Sequence, residues 1–541
     1  TCQTSLVLFK RTMMMRTLVL WAVSAAVAFA GNWDYPQTLP NRQTLVHLFE
    51  WKWTDIAAEC ENFLQYYNYG AVQVSPPNEH IVLESNGNRP WWIRYQPVSY
   101  KLQSRSGTRD QFIDMVSRCN KVGVRIIVDA VTNHMVGVGQ SGTGTAGSGF
   151  NGNDGVETFS GVPYSSSDFN DQYCHRDIQG SDYSSNAWAV RTCRLVGLLD
   201  LTQGNPYVAG KIAGYMQDTI NIGVAGFRVD AAKHQWPNDL CNIYNKAGSL
   251  SPQFGNNAQP FFVGEVIDNG GEAVKASDYV SCGRVTNFRY GHYVANAVRK
   301  SNNFKSFATF GATWNMWADE DVLNFVDNHD NQRTDSGVLT YKNGDQYAMG
   351  VTYMLAWTYG YPRVMSSYYF NNNDQGPPST GSPNFYTNSP SFNSDSTCNP
   401  SSGWVCEHRW PAIRRMADFR SVVTGTAAGN FATDEHRIAF SRGNKGFFMV
   451  NNQGGSWSGT FTTGLPAGSY CDVISGEVSG NGCTGARVSV DGSGRASVSV
   501  GGGKTFAIHV GGRSKIGGGG VSTPNPGNPT TVAPQTGPTQ P

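Results

Sequence analysis

Three acidic residues stand at or just beyond the ends of short apolar runs of the kind that form buried strands. Asp230 and Glu265 follow such runs at once, and Asp330 follows one after three further residues. A single acid in this position is as often a helix cap as a functional group. Three acids at the carboxyl ends of strands would meet on the one face where parallel barrels keep their active sites. The spacing therefore predicts an active site built on carboxylates.

Strand geometry adds a cation to this group. Side chains two residues apart on a strand point to the same face, so Arg228 points the same way as Asp230. Asn328 points the same way as Asp330 if the strand geometry extends that far. An arginine buried beneath an acid needs a counter-charge. That charge could be the carboxylate itself, or an anion held by Arg228, Asn328 and a further cation.

Short β-branched runs alternate with helical stretches from residue 44 onwards. Strands are predicted at 44–49, 71–74, 125–130, 226–231, 261–266, 323–326 and 364–366. Helical spacing is found at 54–67 and 110–122, between the early strands. Repeated alternation of this kind indicates a parallel sheet, open or closed, whose strand ends carry the three acids.

Three segments do not follow this alternation of strands and helices. Residues 133–201 are rich in Gly, Ser, Asn and Asp and too long for a structureless loop, so we predict a small inserted domain. Residues 427–512 contain short strands with Gly-rich turns, which predicts a separate antiparallel β domain. Residues 513–541 hold four consecutive glycines and then Pro, Thr and Asn, which predicts a flexible tail or linker.

Residues 1–30 have the features of a secretory signal peptide. Met15-Arg16 gives a basic start, residues 18–27 are mostly apolar, and Ala28-Phe29-Ala30 forms a small-x-small cleavage site. The apolar run is too short to favour a transmembrane anchor. We therefore expect the chain to be secreted.

Charge and cysteine content narrow the function classes. Lys+Arg 41 against Asp+Glu 40 leaves a net charge of +1, without a basic stripe that would bind nucleic acid. Ten of the 11 cysteines follow the predicted signal peptide, and no pair has the CxxC spacing typical of zinc sites. An even number of cysteines in an exported chain predicts disulfides, although their pairing does not follow from the sequence.

The acids lie within longer motifs that resemble those of animal-type, chloride-dependent α-amylases in the α-amylase glycoside hydrolase family (family 13). The matching stretches are DAVTNH at 129–134, GFRVDAAKH at 226–234, GEVID at 264–268, FVDNHD at 325–330, HLFEW at 47–51 and CEHRW at 406–410. The resemblance extends from about residue 40 to about residue 510. It implies an α/β fold, a (β/α)8 TIM barrel at 31–132 and 202–426, with an inserted domain B at 133–201 after the third strand and a C-terminal antiparallel β-sandwich at 427–512.

The resemblance also implies a retaining enzyme that cuts internal α-1,4 bonds of starch and glycogen. Asp230 would be the nucleophile, Glu265 the general acid and then base, and Asp330 a third acid that binds and distorts the sugar. The implied sugar-binding residues are Trp91, Trp92, Tyr95, Gln96, His134, Lys233, His234 and His329. Other members of family 13, such as α-glucosidases and transglycosidases, share the three acids, but the animal-type motifs and the full β domain favour the α-amylase.

A calcium site is implied between domain B and the barrel. Side-chain oxygens of Asn133 and Asp200 and backbone carbonyls of Arg191 and His234 would be its ligands. Ligation by oxygen alone suits Ca²⁺.

A chloride site is implied as well. Arg228, Asn328 and Arg363 would hold the ion, which activates the animal enzymes. The alternative for Arg363 is an ion pair with an acid of the barrel.

The family pairing of cysteines gives four disulfides, which are Cys60–Cys119, Cys174–Cys193, Cys398–Cys406 and Cys471–Cys483. Cys241 and Cys282 have no counterpart in the vertebrate enzymes; we predict a fifth bridge, with two buried thiols as the alternative. We expect a monomer that acts on starch, glycogen and malto-oligosaccharides and has no nucleic-acid or membrane partner.

The sequence departs from the vertebrate pattern just after Asp330. Vertebrate relatives carry a Gly-rich mobile loop there, whereas residues 332–337 of this chain run on without it. A more open cleft is therefore predicted.

Overall fold

The structure is a computed structural model that describes residues 33–85 and 87–517. The predicted signal peptide at 1–30, and the predicted tail beyond residue 517, lie outside the described residues. Within the described part of the chain, no helix is long and apolar enough to cross a membrane.

The first barrel elements alternate as the sequence predicts. In chain order they are β1 (Leu45–Leu48), α1 (Trp53–Asn62), β2 (Ala71–Val74), α2 (Arg109–Lys121) and β3 (Arg125–Val131).

Helix α2 shows why such segments form where they do. The Thr108 hydroxyl and the Gln111 side chain cap each other's backbone N–H groups, which starts the helix. One face, including Phe112 and Met115, is buried at helical spacing. The Cys60–Cys119 disulfide then joins α2 to α1.

The inserted segment leaves the barrel after β3 and returns through a short antiparallel pair. Its elements are β4 (His134–Gly137), β5 (Ser141–Thr143), β6 (Gly149–Asn151), β7 (Thr158–Phe159), β8 (Tyr164–Ser165), α3 (Asp182–Ser185), α4 (Ala187–Val190) and β9 (Leu198–Asp200). Strands β5 to β8 form one small sheet, and β4 pairs with β9. The Cys174–Cys193 disulfide links two loops of this segment.

The barrel then continues to its last strand. Its remaining elements are α5 (Pro206–Ile222), β10 (Gly226–Asp230), α6 (Pro237–Ala247), β11 (Phe261–Gly264), β12 (Arg284–Asn287), α7 (Phe288–Val298), β13 (Val322–Asn324), α8 (Asn331–Thr334), α9 (Asp345–Ala356), β14 (Tyr361–Ser366) and α10 (Pro411–Val423).

Eight parallel strands close into one barrel in the order β1, β2, β3, β10, β11, β12, β13, β14. The predicted fold class is therefore confirmed, and the open-sheet alternative is excluded. Strand β12 was not predicted from the sequence, and β13 ends two residues earlier than predicted. Buried side chains near the strand starts, such as Leu45, Ile127 and Phe261, fill the barrel at the end away from the acids.

The C-terminal domain is a sandwich of two antiparallel sheets. Its strands are β15 (Ala428–Asp434), β16 (Arg437–Arg442), β17 (Gly446–Asn451), β18 (Trp457–Thr462), β19 (Gly468–Cys471), β20 (Val478–Ser479), β21 (Gly482–Cys483), β22 (Arg487–Val490), β23 (Arg495–Val500) and β24 (Lys504–His509). One sheet has the order β15, β16, β17, β24 and the other β18, β23, β22, β19. Phe447 and Phe461, from facing sheets, lie in one shared core.

The predicted start of the flexible tail at residue 513 is wrong by several residues. Arg513 is 9% exposed and donates to the Tyr66 carbonyl, and Ser514 is fully buried. The backbone N–H of Ile516 donates to Ser469. These contacts bind the segment to the β domain and to the barrel, so any tail begins after them.

The structure pairs the remaining cysteines as Cys398–Cys406, Cys471–Cys483 and Cys241–Cys282. The last bridge connects α6 to the turn before β12. The structure therefore contains the predicted fifth bridge, and the alternative of two buried thiols is not found.

Candidate active site

The two acids at the centre of the site lie at the ends of neighbouring strands. Asp230 is the last residue of β10, and Glu265 follows β11 directly. Because Val229 pairs with Gly264 in register, both carboxylates leave the sheet at the same level. Asp330 comes from the turn after β13 and precedes α8.

Arg228 contacts three carboxylates at once. Its Nη1 donates to Asp230 at 2.6 Å and to Asp129 at 2.7 Å, and its Nη2 forms an ion pair with Glu265. The backbone N–H of Ala231 donates to the other Glu265 oxygen at 2.9 Å. Two nitrogens of one planar guanidinium thus hold Asp230 and Glu265 side by side.

Burial and mutual repulsion determine the protonation of this group. Burial, with the nearby Glu265 and Asp129 carboxylates, raises the pKa of Asp230 well above its usual value although Arg228 opposes the shift. Burial, and then Glu265, raises the pKa of Asp330 to about 6. Neighbouring carboxylates disfavour each other's ionisation, so Asp230 and Asp330 keep their protons to higher pH than exposed carboxyl groups do.

Aromatic rings wall one side of the acids. The His329 ring stacks on Tyr95 with centroids 5.3 Å apart and meets the edge of Trp91 at 5.5 Å. Burial, reinforced by nearby cations, lowers the pKa of His329 well below its usual value, so the ring is neutral. The Tyr95 hydroxyl donates to Asp129 at 2.9 Å.

His134 lies against this wall. Its Nε2 is 2.8 Å from the Tyr95 carbonyl, and burial lowers its pKa to about 4. Trp92, next to Trp91, donates from Nε1 to Asp374 at 3.2 Å. Gln96 contacts domain B, where its Oε1 accepts from Gly137 N–H at 3.0 Å.

Lys233 and His234 lie in the turn that follows β10. The Lys233 ammonium donates to Glu272 at 2.6 Å and to the Ile267 carbonyl. His234 Nδ1 is 2.9 Å from the Val190 carbonyl of domain B, and burial lowers the pKa of this ring to about 4. His234 therefore faces domain B as well as the cleft.

Two further acids were not singled out from the sequence. Asp129 is completely buried and shares Arg228 with Asp230. An acid that follows the apolar run Ile126-Ile127-Val128 within β3 was a usable sign of this role. Glu272, the partner of Lys233, lies in a loop after Gly270-Gly271, and no sequence pattern points to it.

The residues predicted to bind calcium lie where domain B meets the barrel. His134 pairs with Asp200, and Leu201 N–H donates to the Asn133 carbonyl. The Oδ1 atoms of Asn133 and Asp200 are both buried and without a hydrogen-bond partner in the described chain. Two orphaned acceptors, one from an amide and one from a carboxyl, fit a hard cation that is ligated by oxygen.

The residues predicted to bind chloride are also buried. Arg363 is 2% exposed, donates to Gln73 Oε1 at 2.6 Å, and lies 4.7 Å from the centroid of Phe325. Within the described residues it forms no ion pair with any carboxylate, so its predicted alternative partner is not found. Asn328 Oδ1 accepts from the N–H groups that follow it, and its side chain is likewise buried. A buried guanidinium without an acid fits an anion.

Domain B also contains a cluster of two aspartates and a histidine, which are already paired with other side chains. Ligand atoms of Asp154, Asp171 and His175 lie within 4.8 Å of one another. Arg194 forms ion pairs with both aspartates, and His175 lies 2.7 Å from Asp154. These partners already neutralise the carboxylates, and the group is not one of the predicted ion sites.

Comparison with known proteins agrees with this geometry. The family described as "Alpha amylase, catalytic domain" matches residues 95–364, and "Alpha amylase, C-terminal all-beta domain" matches residues 431–511. The chain is 48% identical to the α-amylase of Pecten maximus over 89% of this chain and 94% of that protein. The chain belongs to the α-amylase family. It is therefore a glycoside hydrolase of the α-amylase type.

Other members of the family are similarly close. The α-amylase of Tenebrio molitor is 50% identical over 84% of this chain and 93% of its own length. Mouse pancreatic α-amylase 2a5 is 48% identical over 85% and 92%. The crystal structure of α-amylase I from Eisenia fetida is 41% identical, with a TM-score of 0.80 over 87% of this chain and 98% of that chain. A variant of the Eisenia fetida enzyme has been crystallised with maltohexaose.

Proposed function

We propose that this α-amylase-family enzyme hydrolyses internal α-1,4 bonds of starch, glycogen and malto-oligosaccharides with retention of configuration. The observation that carries the proposal is the guanidinium of Arg228, which holds Asp230 and Glu265 side by side at adjacent strand ends. Retaining glycosidases need two carboxyl groups about 5–5.5 Å apart.

The role of each acid is the one that its position in the family motifs implies. Asp230 attacks the anomeric carbon while Glu265 gives its proton to the glycosidic oxygen, so the C–O bond breaks and a glycosyl ester forms on Asp230. Glu265, now a carboxylate, takes a proton from water, and the hydroxide releases the sugar and restores Asp230. Asp330 and the neutral His329 lie beside these groups and would bind sugar hydroxyls.

The aromatic side of the cleft supports an oligosaccharide substrate. Trp91, Trp92 and Tyr95 would line the glycone side with Gln96 and His134 behind them, and Lys233 and His234 would line the aglycone side. Flat apolar rings flanked by polar groups suit the faces and hydroxyls of sugar rings. The maltohexaose complex of the Eisenia fetida relative supports the same substrate class.

Two ions would complete the site. Calcium would lie between Asn133 and Asp200, with carbonyls of Arg191 and His234, and would hold domain B against the barrel. Chloride would be held by Arg228, Asn328 and Arg363, and would supply negative charge beneath the acids. We further propose that the enzyme acts as a monomer and that it is secreted; the five disulfides support secretion.

The test is hydrolysis of soluble starch by the full chain with calcium and chloride present. Asp230→Asn and Glu265→Gln should each lower kcat by at least about 10³-fold. Asp335→Asn is the matched control, because Asp335 is an acid of the same region that pairs with His292 instead.

The product pattern separates the α-amylase from its closest rivals. A rapid fall in viscosity means internal cutting, whereas early free glucose would indicate an α-glucosidase. Wild-type protein without activity on any α-glucan would overturn the proposal.

A further inference from the structure

Arg333 is a buried cation that forms no ion pair with an acid in the described part of the chain. It is 8% exposed, none of the ion pairs among the described residues includes it, and its Nη2 has no hydrogen-bond partner. A buried charge without an ion pair is unfavourable, so another interaction must stabilise the Arg333 guanidinium.

Four aromatic rings surround the guanidinium. Its central carbon lies 4.1 Å from the ring centroid of Phe370, 5.1 Å from Tyr368, 5.4 Å from Trp91 and 5.7 Å from Phe49. Cations over aromatic faces at such distances are attracted by the ring quadrupole, and more strongly when water is excluded. These four rings, the aromatic cage, therefore stabilise the charge of Arg333 in place of an ion pair.

The same side chain also holds the turn that carries two residues of the site. Arg333 Nε donates to the His329 carbonyl at 3.1 Å, and Arg333 lies three residues after Asp330 in α8. The Asn373 carbonyl accepts from Trp91 Nε1 at 2.8 Å and from Arg333 Nη1 at 3.5 Å. Arg333 thus stands between the Trp91 indole and the turn of Asp330.

We propose that Arg333 is a positioning residue that determines where Trp91 stands relative to Asp330, and thereby how firmly the glycone end of the substrate is bound. This inference rests on the function proposed above. Arg333 itself need not touch the sugar. It acts through the indole, because moving the cation would release one face of Trp91 and the carbonyl of His329 together.

The test is kinetics of Arg333→Met and Arg333→Lys on p-nitrophenyl malto-oligosaccharides of defined length. Loss of the cation should raise KM about tenfold, the equivalent of one or two desolvated cation–π contacts, while kcat changes less than about threefold. The bond that is cut should also shift, so that fewer sugar units occupy the glycone side. Lysine keeps the charge but not the planar fork, so Arg333→Lys should fall in between.

Lys342→Met is the matched control. The Lys342 ammonium lies 3.9 Å from the centroid of the same Phe370 ring, but its side chain is exposed and no contact joins it to Trp91 in the described chain. Its removal should leave KM and the cleavage pattern unchanged.

A binding measurement covers the case in which turnover becomes too slow to interpret. In a Glu265→Gln background, maltohexaose affinity is compared for Arg333→Met, Trp91→Phe and the double variant. Coupling between the two positions supports the proposal, and full additivity overturns it. A lower thermal midpoint with unchanged KM and cleavage pattern would also overturn it. Inactive wild-type protein would refute the proposed function instead.

Discussion

Arg363 allows the chloride proposal to be tested without measuring activity. The variant is Arg363→Met, which removes the charge and keeps a long apolar side chain. Burial, and then the nearby Arg228, lowers the pKa of Arg363 from its usual value to about 10. At about 1.4 kcal/mol for each tenfold, burying this charge without an anion costs about 3 kcal/mol.

Chloride should offset that cost in the wild-type protein. A ligand at 100 times its Kd stabilises the folded state by about 2.7 kcal/mol, which is comparable with the cost just given. We expect the thermal midpoint to rise by about 3–6 °C between chloride-free buffer and saturating chloride. Sodium gluconate at equal ionic strength is the reference for general salt effects.

The variant should lose this response. In chloride-free buffer its stability should stay within about 1–2 kcal/mol of wild type, because removing the buried charge is offset by the hydrogen bond lost at Gln73. The assay is differential scanning calorimetry of both proteins across a chloride titration. A chloride-specific rise of equal size in Arg363→Met would refute the reasoning, because the anion would then bind without Arg363.

Three further results are expected. Removing calcium with a chelator should lower the thermal midpoint of the wild type by several degrees but not that of Asp200→Asn, because Oδ1 of Asp200 is then no longer an anionic ligand. The kcat/KM of wild type should fall below pH about 6, because the raised pKa of Asp330 means that it is protonated there, and Asp330→Asn, although slow, should lack this limb. Replacing Cys241 and Cys282 together by serine should lower the free energy of unfolding by about 4 kcal/mol, from the loop of 41 residues that the bridge closes.

Each of these has a contrary outcome. An equal response of Asp200→Asn and wild type to the chelator would place calcium elsewhere. If kcat/KM of Asp330→Asn still falls below pH about 6, that fall arises from another of the active-site carboxylates. Unchanged stability of the double serine variant in denaturant melts would mean that the bridge does not constrain the unfolded chain.

Local patterns in the sequence predicted much of this molecule. Most barrel strands are apolar on both faces, because helices cover them outside and side chains fill them inside, and this makes them visible as continuous runs. Strand β12 escaped prediction for the opposite reason. Its side chains are committed to polar contacts: Arg284 donates to Asp34, and Asn287 donates to Asn324 and caps α7.

The sequence by itself also predicted candidate residues for the chemistry, because the acids and their neighbours lie in short contiguous motifs. Only the tertiary structure decided how they are combined. Arg228 joins acids from β3, β10 and the end of β11, and the cage of Arg333 brings together rings from positions 49 to 370. The physical reason is barrel closure, which brings strand ends far apart in the chain to one rim. No local pattern records which side chains meet there.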